Sequence, residues 1–243
     1  MENNLEKSRT FVCSDTHGAG LELEALLRQI KLDSNDTLIM AGDNFDRACH
    51  GHLVWNVIHR KSPTTSHLKN PVICLLGNHE AKMMKFLSGY RAANKVPPHY
   101  HWCIKNLEAH GVSQKELLDF CRSLRFLHVI EDHKTIIAHA GVDIENPLRP
   151  NESFNVYCGG MNANTKWWDL YNGPYKVVYG HLTEQDYSVR YKFNSIGIDT
   201  ATCHGGPCTA YEVETGTIHQ FKSGIDWAQE LKESRYLYSH EGN

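Results

Sequence analysis

The chain has 243 residues, 41% of them hydrophobic and 22% charged, with a formal net charge of −3. That make-up suits a globular protein with a sizeable core, and the net charge argues against binding dominated by attraction to nucleic acid or an anionic membrane. No apolar run approaches the length of a membrane span. The polar start Met1-Glu2-Asn3-Asn4-Leu5-Glu6-Lys7 lacks the apolar centre of a signal peptide, so a cytoplasmic protein of one domain over 1–243 is expected.

Phe11-Val12-Cys13 reads as a short buried strand running into Ser14-Asp15-Thr16-His17-Gly18. Leu23, Leu26, Leu27 and Ile30 recur at helical spacing, which predicts an amphipathic helix over 21–30. Residues 37–41 form the next predicted strand, ending in Gly42-Asp43-Asn44-Phe45-Asp46-Arg47. A second helix is predicted over 53–58 and a polar loop over 63–70. Residues 72–76 read as a third strand leading into Gly77-Asn78-His79-Glu80, with a helix from Glu80 to about Leu87. This alternation predicts a parallel βαβαβ core whose strands all end in polar residues.

Residues 90–100, with Pro97-Pro98, read as loop. Ser113-Gln114-Lys115-Glu116 is a capping box opening a helix to about Ser123. Together 89–124 are expected to be a helical insertion covering the site. Strands are predicted over 126–130 and 134–138, the second leading into His139-Ala140-Gly141. Residues 145–165 are rich in Asn, Gly and Pro and read as loop. A strand over 176–179 leads into Gly180-His181. Three late strands over 195–199, 208–213 and 217–221 follow, the last two joined at Thr215-Gly216. The tail, 228–243, is polar and expected to fray.

The residue types at the strand ends carry the chemistry. Asp15 and His17 are expected to point the same way, as residues i and i+2 of an extended segment do. Asp43, Asn78, His79, His139 and His181 follow the later strands. A mixed set of oxygen and nitrogen donors suits Mn, Fe or Zn. Asp43 is a carboxylate able to bridge two ions, and Arg47 beside it can grip a phosphate. Each motif has a plainer reading alone: Asn78-His79-Glu80 as a helix start, Asp43 with Arg47 as a surface ion pair. Their recurrence at successive strand ends favours one shared site.

These motifs together resemble the calcineurin-like metallophosphoesterases. The spelling is nearest to the phosphoprotein phosphatase branch with its bacterial and phage relatives, which includes serine/threonine phosphatases and symmetrical diadenosine tetraphosphatases. Tyr171-Asn172-Gly173, Val177-Val178-Tyr179 and Ile198-Asp199-Thr200 extend the likeness. The resemblance implies an α/β four-layer sandwich, two mixed β-sheets flanked by helices. It implies two divalent metal ions, Mn first, with Fe or Zn as alternatives. Asp15, His17 and Asp43 would hold one; Asp43, Asn78, His139 and His181 the other. A water or hydroxide shared by the two ions would attack phosphorus in line. His79, oriented by Asp46, would protonate the leaving oxygen, and Arg47, Asn78 and His79 would bind the substrate.

The implied activity is hydrolysis of phosphate monoesters, as in serine/threonine phosphatases, on a phosphoprotein or nucleotide substrate. The alternative is a symmetrical bis(5'-nucleosyl)-tetraphosphatase; a non-catalytic metal-binding scaffold is the weaker third. One departure bears on the choice. Leu76 stands where the protein phosphatases carry an arginine, and their later arginine has no clear counterpart near Tyr157-Cys158-Gly159. Arg149 and Lys166 are the cations that could replace it.

Other residues have plainer readings. The eight cysteines show no CxxC pair and read as free thiols. Cys203-His204 with Cys208 reads as loop rather than a zinc site. His50, His52, His59 and His67 read as solvated histidines, and Trp167-Trp168 as core. Tyr100, His101 and Trp102 mark where an adenine would stack if the substrate is a dinucleotide.

Overall fold

A computed structural model of the chain describes residues 8–90, 97–158 and 166–231. Expectations for the polar start, part of the insertion, Gly159 and the far tail lie outside those residues. The first sheet has strand order β10-β9-β1-β2-β3, from β1 (Thr10–Cys13), β2 (Thr37–Met40), β3 (Ile73–Cys74), β9 (Cys208–Glu212) and β10 (Ile218–Phe221). β1, β2 and β3 run parallel, linked by α1 (Gly20–Ile30) and α2 (Gly51–Ile58), so the expected βαβαβ core is present. β9 pairs antiparallel with β1 and with β10, which makes the sheet mixed.

The second sheet has order β4-β5-β6-β8-β7, from β4 (Leu127–Ile130), β5 (Thr135–Ala138), β6 (Lys176–Tyr179), β7 (Arg190–Lys192) and β8 (Ser195–Gly197). β5, β6 and β8 are parallel, while β4 and β7 lie antiparallel at the two edges. The result is two mixed sheets flanked by helices, as the resemblance implied.

Both faces of the central strands are buried, so they read as continuous apolar runs rather than alternating ones. In β1, Phe11 and Cys13 face Leu23, Leu26, Leu27 and Trp55 of the outer helices. Val12 points the other way, into a cluster with Ile39, Leu75, Ile137, Val178 and Tyr211 from both sheets. On the far side Trp167, Trp168 and Tyr171 cover Ile136, Val177 and Tyr179. Trp167 and Trp168 are therefore core, and Trp167 Nε1 donates to the Ala140 carbonyl at 3.1 Å.

The insertion is helical, with α3 (Asn78–Leu87) leading to α4 (Pro98–Ala109) and α5 (Gln114–Ser123). α4 begins inside the segment expected to be loop. Pro98 at its first turn loses no helical hydrogen bond, since that N–H has no partner within a helix. Ser113 and Glu116 form the expected capping box. One short α-helix and one short strand were not anticipated. α6 (Glu152–Tyr157) forms within 145–165, where the Asn151 side chain accepts from Ser153 N at 3.0 Å, and β7 forms one side of a hairpin. Among the described residues no helix is long and apolar enough to cross a membrane. All eight cysteines are free thiols, and only Cys49 is exposed.

Candidate active site

The polar strand ends converge because the loops behind them are zipped together. Beyond β1 and β2 the backbone continues in register: Asp15 N donates to Gly42 O at 3.1 Å, His17 N to Asp43 O at 2.9 Å and Gly18 N to Asn44 O at 2.7 Å. Within these loops Asp15, His17, Asp43 and Arg47 all adopt positive φ, between 46° and 77°, as does His181 at 71°. Such backbone costs of order 1–3 kcal/mol per residue and clusters at sites where the surroundings over-determine it. It also corrects the expectation for Asp15 and His17. Their side chains meet through two left-handed residues, not through alternation along an extended segment.

Two glycines of the motifs are explained by close approach. A Cβ on Gly77 would lie 2.2 Å from Asp43 Oδ1, and one on Gly180 would lie 1.9 Å from Asp15 Oδ2. Each glycine lets a carboxylate pass over its backbone.

The donors form one cluster. His17 Nε2 is 3.6 Å from Asp43 Oδ2, and His139 Nε2 is 3.5 Å from Asp43 Oδ1. His17, Asp43 and His79 bring ligand atoms within 4.8 Å of one another, and so do Asp43, His139 and His181. Asp43 is common to both groups. His139 Nδ1 donates to the Ala41 carbonyl at 3.1 Å, which leaves its Nε2 lone pair aimed at the cluster. Asp15 Oδ2 accepts from His181 N at 2.9 Å, while Asp15 Oδ1 is buried with no hydrogen-bond partner. A buried, unsatisfied carboxylate oxygen is costly unless a cation meets it.

The Asn78 amide fits the same demand. Its inward atom lies 2.9 Å from Asp43 Oδ2, 3.2 Å from His139 Nε2 and 3.3 Å from His181 Nδ1; its outward atom lies 2.8 Å from Lys82 Nζ. Hydrogen bonding alone turns the nitrogen inward, whereas a cation turns the oxygen inward.

Burial sets the charge state. It drives the Asp15 and Asp43 carboxyls well above the usual range, helped by Asp199 at Asp15 and by Glu80 at Asp43. Burial likewise holds His17 down to about 3 and His181 down to about 4, Lys82 adding to the latter. His139 is pushed well below its ordinary value by burial and by His181. Crowded carboxylates beside neutral imidazoles are a set short of positive charge, which a metal supplies.

Asp46 behaves differently. Burial opposes its ionisation, yet hydrogen bonds from His17 and His79 hold it well below the usual carboxylate range. Its Oδ1 is 3.0 Å from His17 Nδ1 and its Oδ2 is 2.6 Å from His79 Nδ1. Arg47 Nη2 reaches His79 Nε2 at 3.0 Å. These groups open onto a cavity of about 310 Å³ lined by His17, Asp43, Arg47, Asn78, His79 and His181, with Tyr187, Asp199 and His204 on its other walls.

Over residues 8–240 the sequence matches the calcineurin-like phosphoesterase family. The chain belongs to that family. Calcineurin-like phosphoesterases use divalent metals, and the His and Asp groups around Asp43 are where this member could hold them. A symmetrical bis(5'-nucleosyl)-tetraphosphatase of Enterobacter sp. (strain 638) is 29% identical, over 84% of this chain and 91% of that protein. One of the same description from Klebsiella pneumoniae (strain 342) is 31% identical, over 55% of this chain and 43% of its own length. A crystal structure described as a candidate diadenosine tetraphosphatase superposes with a TM-score of 0.66, at 21% identity over 90% of this chain and 95% of that one. A Saccharomyces cerevisiae serine/threonine phosphatase gives 0.58 at 15% identity, over 91% and 82%. The last two likenesses speak for the fold. The two sequence relatives are both named for the activity drawn from the sequence as the alternative, not for the protein phosphatase reading placed first.

Several sequence expectations change here. Arg149 and Lys166 are exposed and absent from the cavity wall, so neither supplies the second phosphate-gripping cation there. Tyr100 is buried behind His79, with ring centroids 5.8 Å apart, and His101 packs edge-on against Phe86; neither lines the cavity. His59 stacks on Trp55 and His67 Nε2 donates to the Leu32 carbonyl, yet both stay exposed to solvent, as expected. Residues that sequence reasoning passed over also stand out. Glu80 accepts from Asp43 N and Asn44 N at 2.8 and 2.7 Å, fixing the loop that carries Asp43. His99 Nε2, from α4, comes within 3.2 Å of Asp46 Oδ2. Glu80 was visible as part of its motif; Tyr187 and His99 carried no such signal.

Proposed function

We propose that this chain is a metal-dependent phosphoesterase that splits dinucleoside tetraphosphates symmetrically. Two divalent ions, Mn foremost, would be held by Asp15, His17 and Asp43 on one side and by Asp43, Asn78, His139 and His181 on the other. When bound they supply Lewis-acid activation and a nucleophile at neutral pH. The chain supplies the rest. Arg47 donates two parallel hydrogen bonds to a phosphate and offsets charge that builds on it in the transition state. In doing so it leaves His79 Nε2 facing the leaving oxygen. Protonated on both nitrogens, His79 gives its Nε2 proton to that oxygen and returns to the neutral Nδ1–H form, and Asp46 fixes that orientation and stabilises the imidazolium.

The observation that carries this reading is the donor set gathered on Asp43, with the Asp46–His79 pair beside it. Arg47 is the single guanidinium lining the cavity among the described residues, which supports a substrate other than a phosphoprotein. Tyr187 is the one aromatic ring besides the histidines among the described residues lining the cavity, and a base can stack on such a ring. The test is product analysis with diadenosine tetraphosphate and added manganese. Two molecules of ADP are expected; an untouched dinucleotide alongside turnover of phosphopeptides would restore the monoesterase reading.

A further inference from the structure

Two segments unused by the mechanism above lie in line behind Arg47: the Cys203-His204 turn contacts it, and the chain around Asp226 approaches His204. Arg47 Nη2 lies 3.0 Å from His79 Nε2, and Nη1 lies 3.4 Å from His204 Nε2. A guanidinium has donors only, so both imidazoles accept through Nε2 and carry their proton on Nδ1. Behind His79, Nδ1 faces Asp46 Oδ2 at 2.6 Å; behind His204, Nδ1 faces Asp226 Oδ1 at 3.7 Å. Arg47 thus lies between two imidazoles, one hydrogen-bonded to Asp46 and the other facing the longer, half-exposed approach of Asp226.

Asp226 is brought there by an anchor on α1. Glu22 is buried, and its Oε1 accepts from Ser223 Oγ and from Trp227 Nε1, each at 2.7 Å. The Trp227 ring packs edge-on against His50 at 4.8 Å. The segment just ahead of the expected polar tail is clamped to the first helix, and Asp226, next to the second clamp point, faces His204.

We propose that His204, backed by Asp226, is a positioning residue that holds the Arg47 guanidinium aimed at the substrate's phosphate. The role rests on the phosphoesterase reading for the identity of the ligand. Arg47 has to do alone what two arginines would share, and a long side chain fixed beforehand loses less entropy on binding. His204 lines the same cavity, so its ring also limits where the phosphate can sit.

The experiment compares wild type with His204→Ala, His204→Gln, Asp226→Asn and Arg47→Ala. It measures kcat and KM for p-nitrophenyl phosphate, the inhibition constant of inorganic phosphate, and bound metal. His204→Ala is expected to raise KM and the phosphate constant by about tenfold, with a smaller change in kcat and unchanged metal content. His204→Gln, whose amide oxygen accepts from a guanidinium, should recover most of the loss, and Asp226→Asn should fall between. In the Arg47→Ala background His204→Ala should add nothing. The proposal is overturned if His204→Ala stays within twofold of wild type, if it loses metal, or if its effect persists without Arg47. A wild type that turns over no phosphoester would sink the functional reading instead. In that case the Arg47→Ala/His204→Ala cycle, followed by thermal unfolding of chelator-treated protein, still decides the contact: coupled effects support it and additive ones overturn it.

Discussion

Asp46 Oδ2 lies 2.6 Å from His79 Nδ1, and the pair points His79 Nε2 into the cavity. If His79 is the proton donor, its loss matters only where the leaving oxygen needs a proton. His79→Ala should cost about 100-fold or more in kcat with a poor alcohol leaving group and much less with p-nitrophenolate. Asp46→Asn should show the same dependence at reduced size, because an amide cannot stabilise the imidazolium. Rates across a series of aryl and alkyl phosphates check it; equal losses across the series would remove His79 from that role.

The metal assignment predicts stoichiometry. Asp43 belongs to both donor groups, so Asp43→Asn should lose both ions, whereas His139→Ala should lose one. Elemental analysis after dialysis against manganese reads this directly. Chelation should also lower the thermal midpoint, since ligand at 100 times its dissociation constant stabilises by about 2.7 kcal/mol. An unchanged midpoint on reloading would count against a site built from these residues.

Much of this site was legible because ligand chemistry restricts residue type, and the strand ends present those types in short runs. Asp15 with His17 and Gly42 through Arg47 could be picked out without any contact map. The glycines at 77 and 180 belong to the same legible layer, since a passing carboxylate excludes any Cβ. What stayed hidden comes from elsewhere. Tyr187, His204 and Asp226 sit on connections whose sequence carries no period, and only the folding of one loop against another gives them a role. The left-handed backbone at Asp15 and His17 was equally invisible, because neither residue type demands it. α4 was partly concealed by Pro97-Pro98, which marks a break and, at its second residue, a helix start.

Glu80 is predicted to matter for stability before chemistry. Its carboxylate caps Asp43 N and Asn44 N in the buried interior. Glu80→Ala strands both donors, and each buried unsatisfied N–H costs about 1–3 kcal/mol. Urea unfolding of the metal-free protein should show a lower midpoint at unchanged slope. Glu80→Gln retains one acceptor and should lose less. A Glu80→Ala protein as stable as wild type would mean that the Asp43 loop is held by other bonds.

Tyr187 offers the sharpest separation between the two substrate classes. It lines the same cavity as Arg47, on the loop after His181, with φ of 60°. A left-handed tyrosine is held there by its surroundings, not by preference. Stacking of a base on an aromatic side chain is worth about 1–3 kcal/mol, so Tyr187→Ala should raise KM for diadenosine tetraphosphate by about tenfold. Turnover of p-nitrophenyl phosphate, which has no base, should stay near wild type. Tyr187→Phe keeps the ring and should behave as wild type on both. If Tyr187→Ala instead impairs both substrates alike, the ring shapes the phosphate site itself, and the base must be sought on another wall.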